Sequence, residues 1–222
     1  MHESNKSNVV QLSSILSEEY GQINWKPRHD AINELVYTIL SQHTSDINSE
    51  RAFRNLMSSF CSVQSIATAS LLDIEKCIRT AGLHKIKAAR IKDVLNIILK
   101  RVGNFDLTFL AEMPLEDAKD WLKSLPGVGP KTAAIVLCFS FGMPAMPVDT
   151  HIYRVSRRLG LIEPKVSADK AHVLLEKIID PDQVFAFHMY LIKHGRKICK
   201  ALKPRCGECV LASNCPSKLK LG

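Results

Sequence analysis

No segment of this 222-residue chain is apolar for long enough to be the core of a signal peptide or to cross a membrane. The N-terminal MHESNKSNVVQLSSILSEEYGQ mixes polar and acidic residues with short apolar runs, so the protein is expected to stay where it is made. No stretch alternates apolar with polar residues as a half-buried strand would, which argues against a β-fold. Internal repeats and low-complexity linkers are also missing. Acidic residues are in short supply: 22 Asp and Glu face 30 Lys and Arg, a formal charge of +8 and a pI near 9.2. Such a surplus favours polyanionic partners. The remaining balance, 46% hydrophobic and 23% charged, is that of an ordinary globular protein. At roughly 100 to 200 residues per domain, this length predicts one or two compact lobes.

What is present is helical periodicity. Ile32, Leu35, Val36, Ile39 and Leu40 follow the i, i+3, i+4, i+7, i+8 spacing of a buried helix face, just after Asp30, a suitable N-cap. Ala52, Phe53, Leu56, Met57 and Phe60 form a second stripe, Leu71, Leu72, Ile74 and Ile78 a third, and Val94, Leu95, Ile98 and Leu99 a fourth. Pro114 opens a short helix through Trp121 and Leu122. After the turn-rich FGMPAMPVD come helices over roughly 150–159, 167–179 and 182–194. The fold class expected is all-α.

Between the Trp121 helix and the next lies Leu125-Pro126-Gly127-Val128-Gly129-Pro130-Lys131. Its glycines suit a tight turn with positive φ or a close approach, and Pro130 suits a first helical position, so a helix begins at or just before Lys131. A helix start offers unclaimed N–H groups and the positive end of the macrodipole, which together seat a phosphate. Further on, Cys199, Cys206, Cys209 and Cys215 crowd into one basic segment. Four thiolates in one loop suffice for a tetrahedral zinc or a cubane iron-sulfur cluster, and four-cysteine chemistry alone does not choose between them. Cys61, Cys77 and Cys138 stand singly and read as buried apolar residues.

The string LPGVGPKTA, followed by VDTHIYRV, His194-Gly195-Arg196 and the 6-2-5 cysteine spacing, resembles the endonuclease III family from about Trp25 to Pro216. That resemblance implies a two-lobed helix-hairpin-helix glycosylase: a six-helix, barrel-like lobe over residues 24–140, and a second lobe built from residues 1–23 and 141–222. The second lobe would hold a [4Fe-4S] cluster in the loop 199–215 on Cys199, Cys206, Cys209 and Cys215. The partner implied is double-stranded DNA with a damaged base or an abasic site, met by a monomer in the cytoplasm, on the nucleoid if the source is bacterial or archaeal.

By the same resemblance Lys131 is the nucleophile and Asp149 assists it. A primary amine can form an imine with the sugar, and burial and a helix N-terminus would both disfavour its ammonium form. Asp149 can accept a proton or stabilise positive charge growing on the sugar, and can also cap the helix that begins at Thr150. The reaction this resemblance implies removes oxidised pyrimidines and cuts the strand by β-elimination through a Lys131 Schiff base.

Leu125, Gly127, Val128, Gly129 and Thr132 of the hairpin are the expected DNA-backbone contacts, and Lys200, Lys203 and Arg205, with Lys197, a basic patch beside the cysteine loop. Leu83, in GLHKIKA, matches the family's wedge into the base stack. The residue that fills the emptied site is Gln42 or His43, because LSQHTSD stands where the family carries a segment like L-S-A-Q-A-T-D. Competing readings are a mismatch-type adenine or uracil/thymine glycosylase and a non-enzymatic DNA-binding module. An adenine glycosylase would lack the lysine at 131 and carry a further domain beyond Gly222. A module without activity would have no need of both Lys131 and Asp149.

Overall fold

A computed structural model describes residues 2–218. Among them are eleven α-helices, five short 3-10 turns and no strand. The chain divides into two compact units, one continuous over Pro27–Phe141 and one joining the segment through Lys26 to the chain from Gly142 onward.

The first helix, α1 (His2–Tyr20), belongs to the split unit. The continuous unit holds α2 (Ala31–Ser41), α3 (Asp46–Phe60), α4 (Val63–Thr68), α5 (Leu71–Cys77), α6 (His84–Val102), α7 (Leu115–Lys123) and α8 (Pro130–Phe141). Its core forms around α2, which packs on α3, α6 and α8. Ile32, Leu35, Val36, Ile39 and Leu40 are all buried, as their spacing predicts. Asp30 caps α2 by accepting the Asn33 N–H at 2.9 Å. Glu34 is also buried, a charge that requires a partner. Arg28 supplies it in a two-pronged ion pair, while its guanidinium lies 4.4 Å from the Tyr37 ring centre and 4.8 Å from that of Phe139.

Three details depart from the apolar stripes. Leu71 and Leu72 are exposed at the start of α5, where only Ile74 and the following Ile78 turn inward, and Leu99 is exposed near the end of α6. Cys61 is not buried. It terminates α3 in a left-handed conformation, φ 59°, with its side chain in solvent.

In the split unit α1 is joined by α9 (Thr150–Arg158), α10 (Ala168–Ile178) and α11 (Val184–Lys197). Helix α11 packs on α9 and α1, and α1 also meets α10. The sequence reading assigns no element to α1. Its buried contacts reduce to Val9, Leu12 and Leu16, at i, i+3 and i+7, too sparse a stripe among serines and glutamates to stand out.

Candidate nucleic-acid interface

Helices α7 and α8 enclose the Ser124–Gly129 turn. Leu125 N–H bonds the Leu122 carbonyl (3.1 Å) and Val128 N–H the Leu125 carbonyl (3.2 Å), winding the chain tightly out of α7. The first bond of α8 runs from Ala133 N–H to the Gly129 carbonyl (3.0 Å), with Pro130 at the first helical position. N–H groups ahead of that bond have no intrahelical acceptor, which leaves the helix start suited to an anion.

The two glycines differ in kind. Gly127 has φ +72°, and a Cβ there would lie 2.0 Å from Arg90 Nε. Gly129 has no positive φ, and a Cβ there would meet nothing within 4 Å, so neither turn geometry nor packing demands glycine. Leu125, Val128 and Thr132 are buried. Their side chains hold the hairpin, and any contact with DNA at these positions falls to the backbone. Lys131, in the first turn of α8, is exposed, so the burial that the sequence reading invokes for its amine is absent and the helix N-terminus remains.

Gln42 ends α2 and is fastened to this hairpin. Its Nε2 donates to the Gly127 carbonyl (3.2 Å) and Thr132 Oγ1 (3.3 Å), and its Oε1 accepts from Arg90 Nη1 (2.7 Å). His43, next in sequence, is exposed with φ 53°. Leu83 is likewise exposed, at 56%, with φ 46° as the residue that opens α6. Left-handed backbone disfavours residues with a Cβ and persists only where the surroundings enforce it. Here the two turns are tied together. Thr44 Oγ1 donates to the Ala81 carbonyl, and Lys87 Nζ reaches the Leu40 carbonyl (2.7 Å), Thr44 Oγ1 (2.6 Å) and the Ala81 carbonyl (2.7 Å). Burial, with the Arg90 charge nearby, lowers the Lys87 amine to about 8.

In the split unit, Asp149 caps α9. Its Oδ1 accepts from His151 N–H and Ile152 N–H, both at 2.8 Å. The segment leading to it is held by side chains that sequence motifs did not single out. Glu176 accepts the Met146 N–H (2.8 Å), and the buried rings of His172 and His188 bond the carbonyls of Met146 (2.7 Å) and Pro147 (3.0 Å). Asp149 and Lys131 therefore each occupy a helix start, one in each unit.

Cys199, Cys206, Cys209 and Cys215 line one cavity together with His194, Val155, Leu159, Ile198 and Pro204. Two arginines of α9 fix its rim: Arg154 donates to the Cys199 and Gly195 carbonyls (2.9 Å each), and Arg158 to Cys199 Sγ (3.3 Å) and the Lys200 carbonyl (2.7 Å). His194 Nε2 lies 3.5 Å from Cys209 Sγ, and its Nδ1 lies 3.1 Å from the Tyr20 hydroxyl. Burial lowers His194 to about 4, which keeps the ring neutral. Burial also raises the Cys209 and Cys215 thiols, and the neighbouring sulfurs add to this. Gathering four thiolates here thus requires compensating positive charge. The four sulfurs line a common hollow. Four cysteine sulfurs around one cavity suit the donor set of an iron-sulfur cluster.

Lys197, Lys200, Lys203 and Arg205 are exposed around this loop. Arg205 is engaged by Glu208 in a two-pronged ion pair, so less charge is free there than the sequence suggests. No helix among the described residues is long and apolar enough to cross a membrane.

Comparison with known proteins adds to this geometry. Residues 36–181 match the family described as HhH-GPD superfamily base excision DNA repair protein, and residues 199–215 match the iron-sulfur binding domain of endonuclease III. Endonuclease III of Thermotoga maritima is 34% identical over 84% of this chain and 83% of its own length. That of Bacillus subtilis is 34% identical over 82% and 80%. Among solved structures, a non-covalent endonuclease III–DNA complex and a trapped endonuclease III–DNA covalent intermediate each superpose with a TM-score of 0.83 at 28% identity, over 97% of both chains. A thermostable thymine-DNA glycosylase shares the fold with a TM-score of 0.81 at 23% identity.

Proposed function

The chain belongs to the HhH-GPD superfamily of base excision DNA repair proteins, in its endonuclease III family, and from that premise we propose which of its residues perform the repair reaction and on which base. It is a DNA glycosylase and abasic-site lyase that carries a [4Fe-4S] cluster. What supports the residue assignment is that each motif residue occupies a helix start: Lys131 is exposed in the first turn of α8, directly after the hairpin, and Asp149 caps α9 in VDTH.

In this reading the unclaimed amides after Gly129 receive a DNA phosphate, and the missing Cβ at Gly129 lets that phosphate approach. The Lys131 amine attacks C1′ of the damaged nucleotide, and the C1′–N bond breaks with its electron pair leaving on the base. Asp149 takes up the amine proton and offsets the positive charge that builds on the sugar. Ring opening leaves an imine between Lys131 and C1′. Loss of a C2′ proton then expels the 3′ phosphate and cuts the strand, and water releases the lysine.

Cys199, Cys206, Cys209 and Cys215 hold the cluster, whose iron supplies the positive charge that four crowded thiolates require and so folds the loop. Lys200 and Lys203, exposed on that loop, contact phosphates. His43 and Leu83 enter the base stack, because both are exposed on constrained turns. Gln42 is held by the hairpin and Arg90 instead. Oxidised pyrimidines are the proposed lesions, met in double-stranded DNA by a monomer. A panel of duplexes bearing oxidised pyrimidines, oxidised purines, and uracil or thymine opposite guanine tests this. Fastest single-turnover excision of the oxidised pyrimidines is expected, and faster excision of an oxidised purine or of a mismatched uracil or thymine would overturn the assignment.

A further inference from the structure

Lys87 is 2% exposed, yet its three partners, Leu40 O, Thr44 Oγ1 and Ala81 O, are all uncharged. A buried ammonium without a carboxylate is a costly way to fill space, and an apolar side chain would serve cohesion better. What a lysine tip offers is three donors on one atom. Each reaches a different piece of chain: the last turn of α2, which leads into Gln42 and His43; Thr44, just after His43; and Ala81, two residues before Leu83. One helical turn further along α6, Arg90 donates to Gln42 Oε1 and lies against Gly127, so close that a Cβ there could not fit. Thr80 adds a bond from its hydroxyl to the Asn48 carbonyl of α3 (3.3 Å).

We propose that Lys87 and Arg90 are positioning residues that hold the His43 turn, the Leu83 turn and the hairpin as one rigid edge, so that the damaged nucleotide is pushed out against a fixed grip on its backbone. This rests on the reading of His43 and Leu83 as the residues that enter the stack. Neither positioning residue touches the reacting atoms. The left-handed backbone at both His43 and Leu83 gives the brace its purpose: each turn is held in a conformation it would otherwise relax from, with its side chain projecting into solvent. Rigid presentation matters most when a stacked base has to be displaced, and least when no base remains to be extruded.

The test compares the wild-type holoenzyme with Lys87→Met and Arg90→Met on two substrates under single turnover. One duplex carries an oxidised pyrimidine beside 2-aminopurine, whose fluorescence reports unstacking. The other carries a preformed abasic site. In both variants the unstacking and excision rates are expected to fall about tenfold or more, while strand cleavage at the abasic site stays within about threefold, as for loss of a positioning contact. Equal losses on both substrates, or no change in unstacking, would overturn the brace. His43→Ala and Leu83→Ala separate this from the reading beneath it. If they leave unstacking unchanged, the stack-entry reading fails. If they slow it while Lys87→Met and Arg90→Met do not, that reading stands and the brace is wrong. Should Lys87→Met fail to fold, Thr44→Val, which removes one acceptor at a half-buried position, decides by the same ratio of excision to abasic-site cleavage.

Discussion

The proposed catalytic role of Asp149 can be separated from its capping role, because its two carboxylate oxygens are used differently. Both capping amides bond Oδ1, which leaves Oδ2 outside the cap. Asp149→Asn keeps a capping oxygen, so unfolding in urea should change by less than about 0.5 kcal/mol, since Asn and Asp cap comparably. Excision should nevertheless fall by about a hundredfold or more, the scale of a lost general base. Asp149→Ala loses the cap as well, and should cost a further ~0.5 to 2 kcal/mol of stability. The hairpin glycines divide similarly. Gly127→Ala meets both a positive φ and the Arg90 side chain, and should destabilise by about 1 to 2 kcal/mol from the backbone alone. Gly129→Ala meets open space, so stability should hold while duplex binding weakens, as measured by fluorescence anisotropy. The sequence locates both glycines and offers two reasons for them, positive φ or close approach, without saying which glycine has which. Only the backbone angles and the position of Arg90 separate a glycine the fold needs from one that leaves room outside the chain.

At the scale of the element, α6 shows where sequence is legible and where it is not. Its buried stripe of Ala88, Ile91, Val94, Leu95 and Ile98 repeats at helical spacing. Lys87 sits on that stripe, one residue before Ala88 and four before Ile91, a signal that could have marked it as buried. It was hidden by the neighbouring Lys85 and Lys92, because a run of lysines reads as a solvated face until its phase against the stripe is checked. The buried amine carries a pH signature. Its pKa is lowered from 10.5 to about 8 in the folded protein. Between those values the unfolded chain binds more protons than the folded one, so this group makes stability rise with pH across that window. Denaturant midpoints from pH 8 to 10.5 should therefore show a rising contribution in wild type that is absent in Lys87→Met. A difference that falls with pH would show that the native state prefers the ammonium. The stripes of α2 and α3 were likewise legible, whereas α1 and the exposure of Leu71, Leu72 and Cys61 were not. Periodicity finds helices whose faces are broad and apolar. It says little about a helix anchored at three positions, or about which residues at a helix end still reach the core.

For the whole molecule, several of the basic groups behind the +8 charge are held by the fold itself. Arg154 and Arg158 are hydrogen-bonded to carbonyls around Cys199, while Arg28 and Arg205 pair with Glu34 and Glu208, whose negative charges the +8 already includes. Near the cysteine loop Lys200 and Lys203 are exposed, as is Lys197, whose ammonium lies 5.6 Å from the Tyr20 ring centre. The motifs of the hairpin, VDTH and the cysteine loop lie in different stretches of sequence, and family membership unites them in one repair enzyme. The roles of Lys131 and Asp149 are the claims on which the rest depends. The most direct measurement is borohydride trapping on duplex DNA containing an abasic site, with wild type beside Lys131→Ala. Wild type is expected to form a covalent protein–DNA adduct and Lys131→Ala none, with strand cleavage lost in parallel. Cleavage by wild type without an adduct, or an adduct that survives Lys131→Ala, would contradict the assignment of Lys131 as the imine-forming nucleophile.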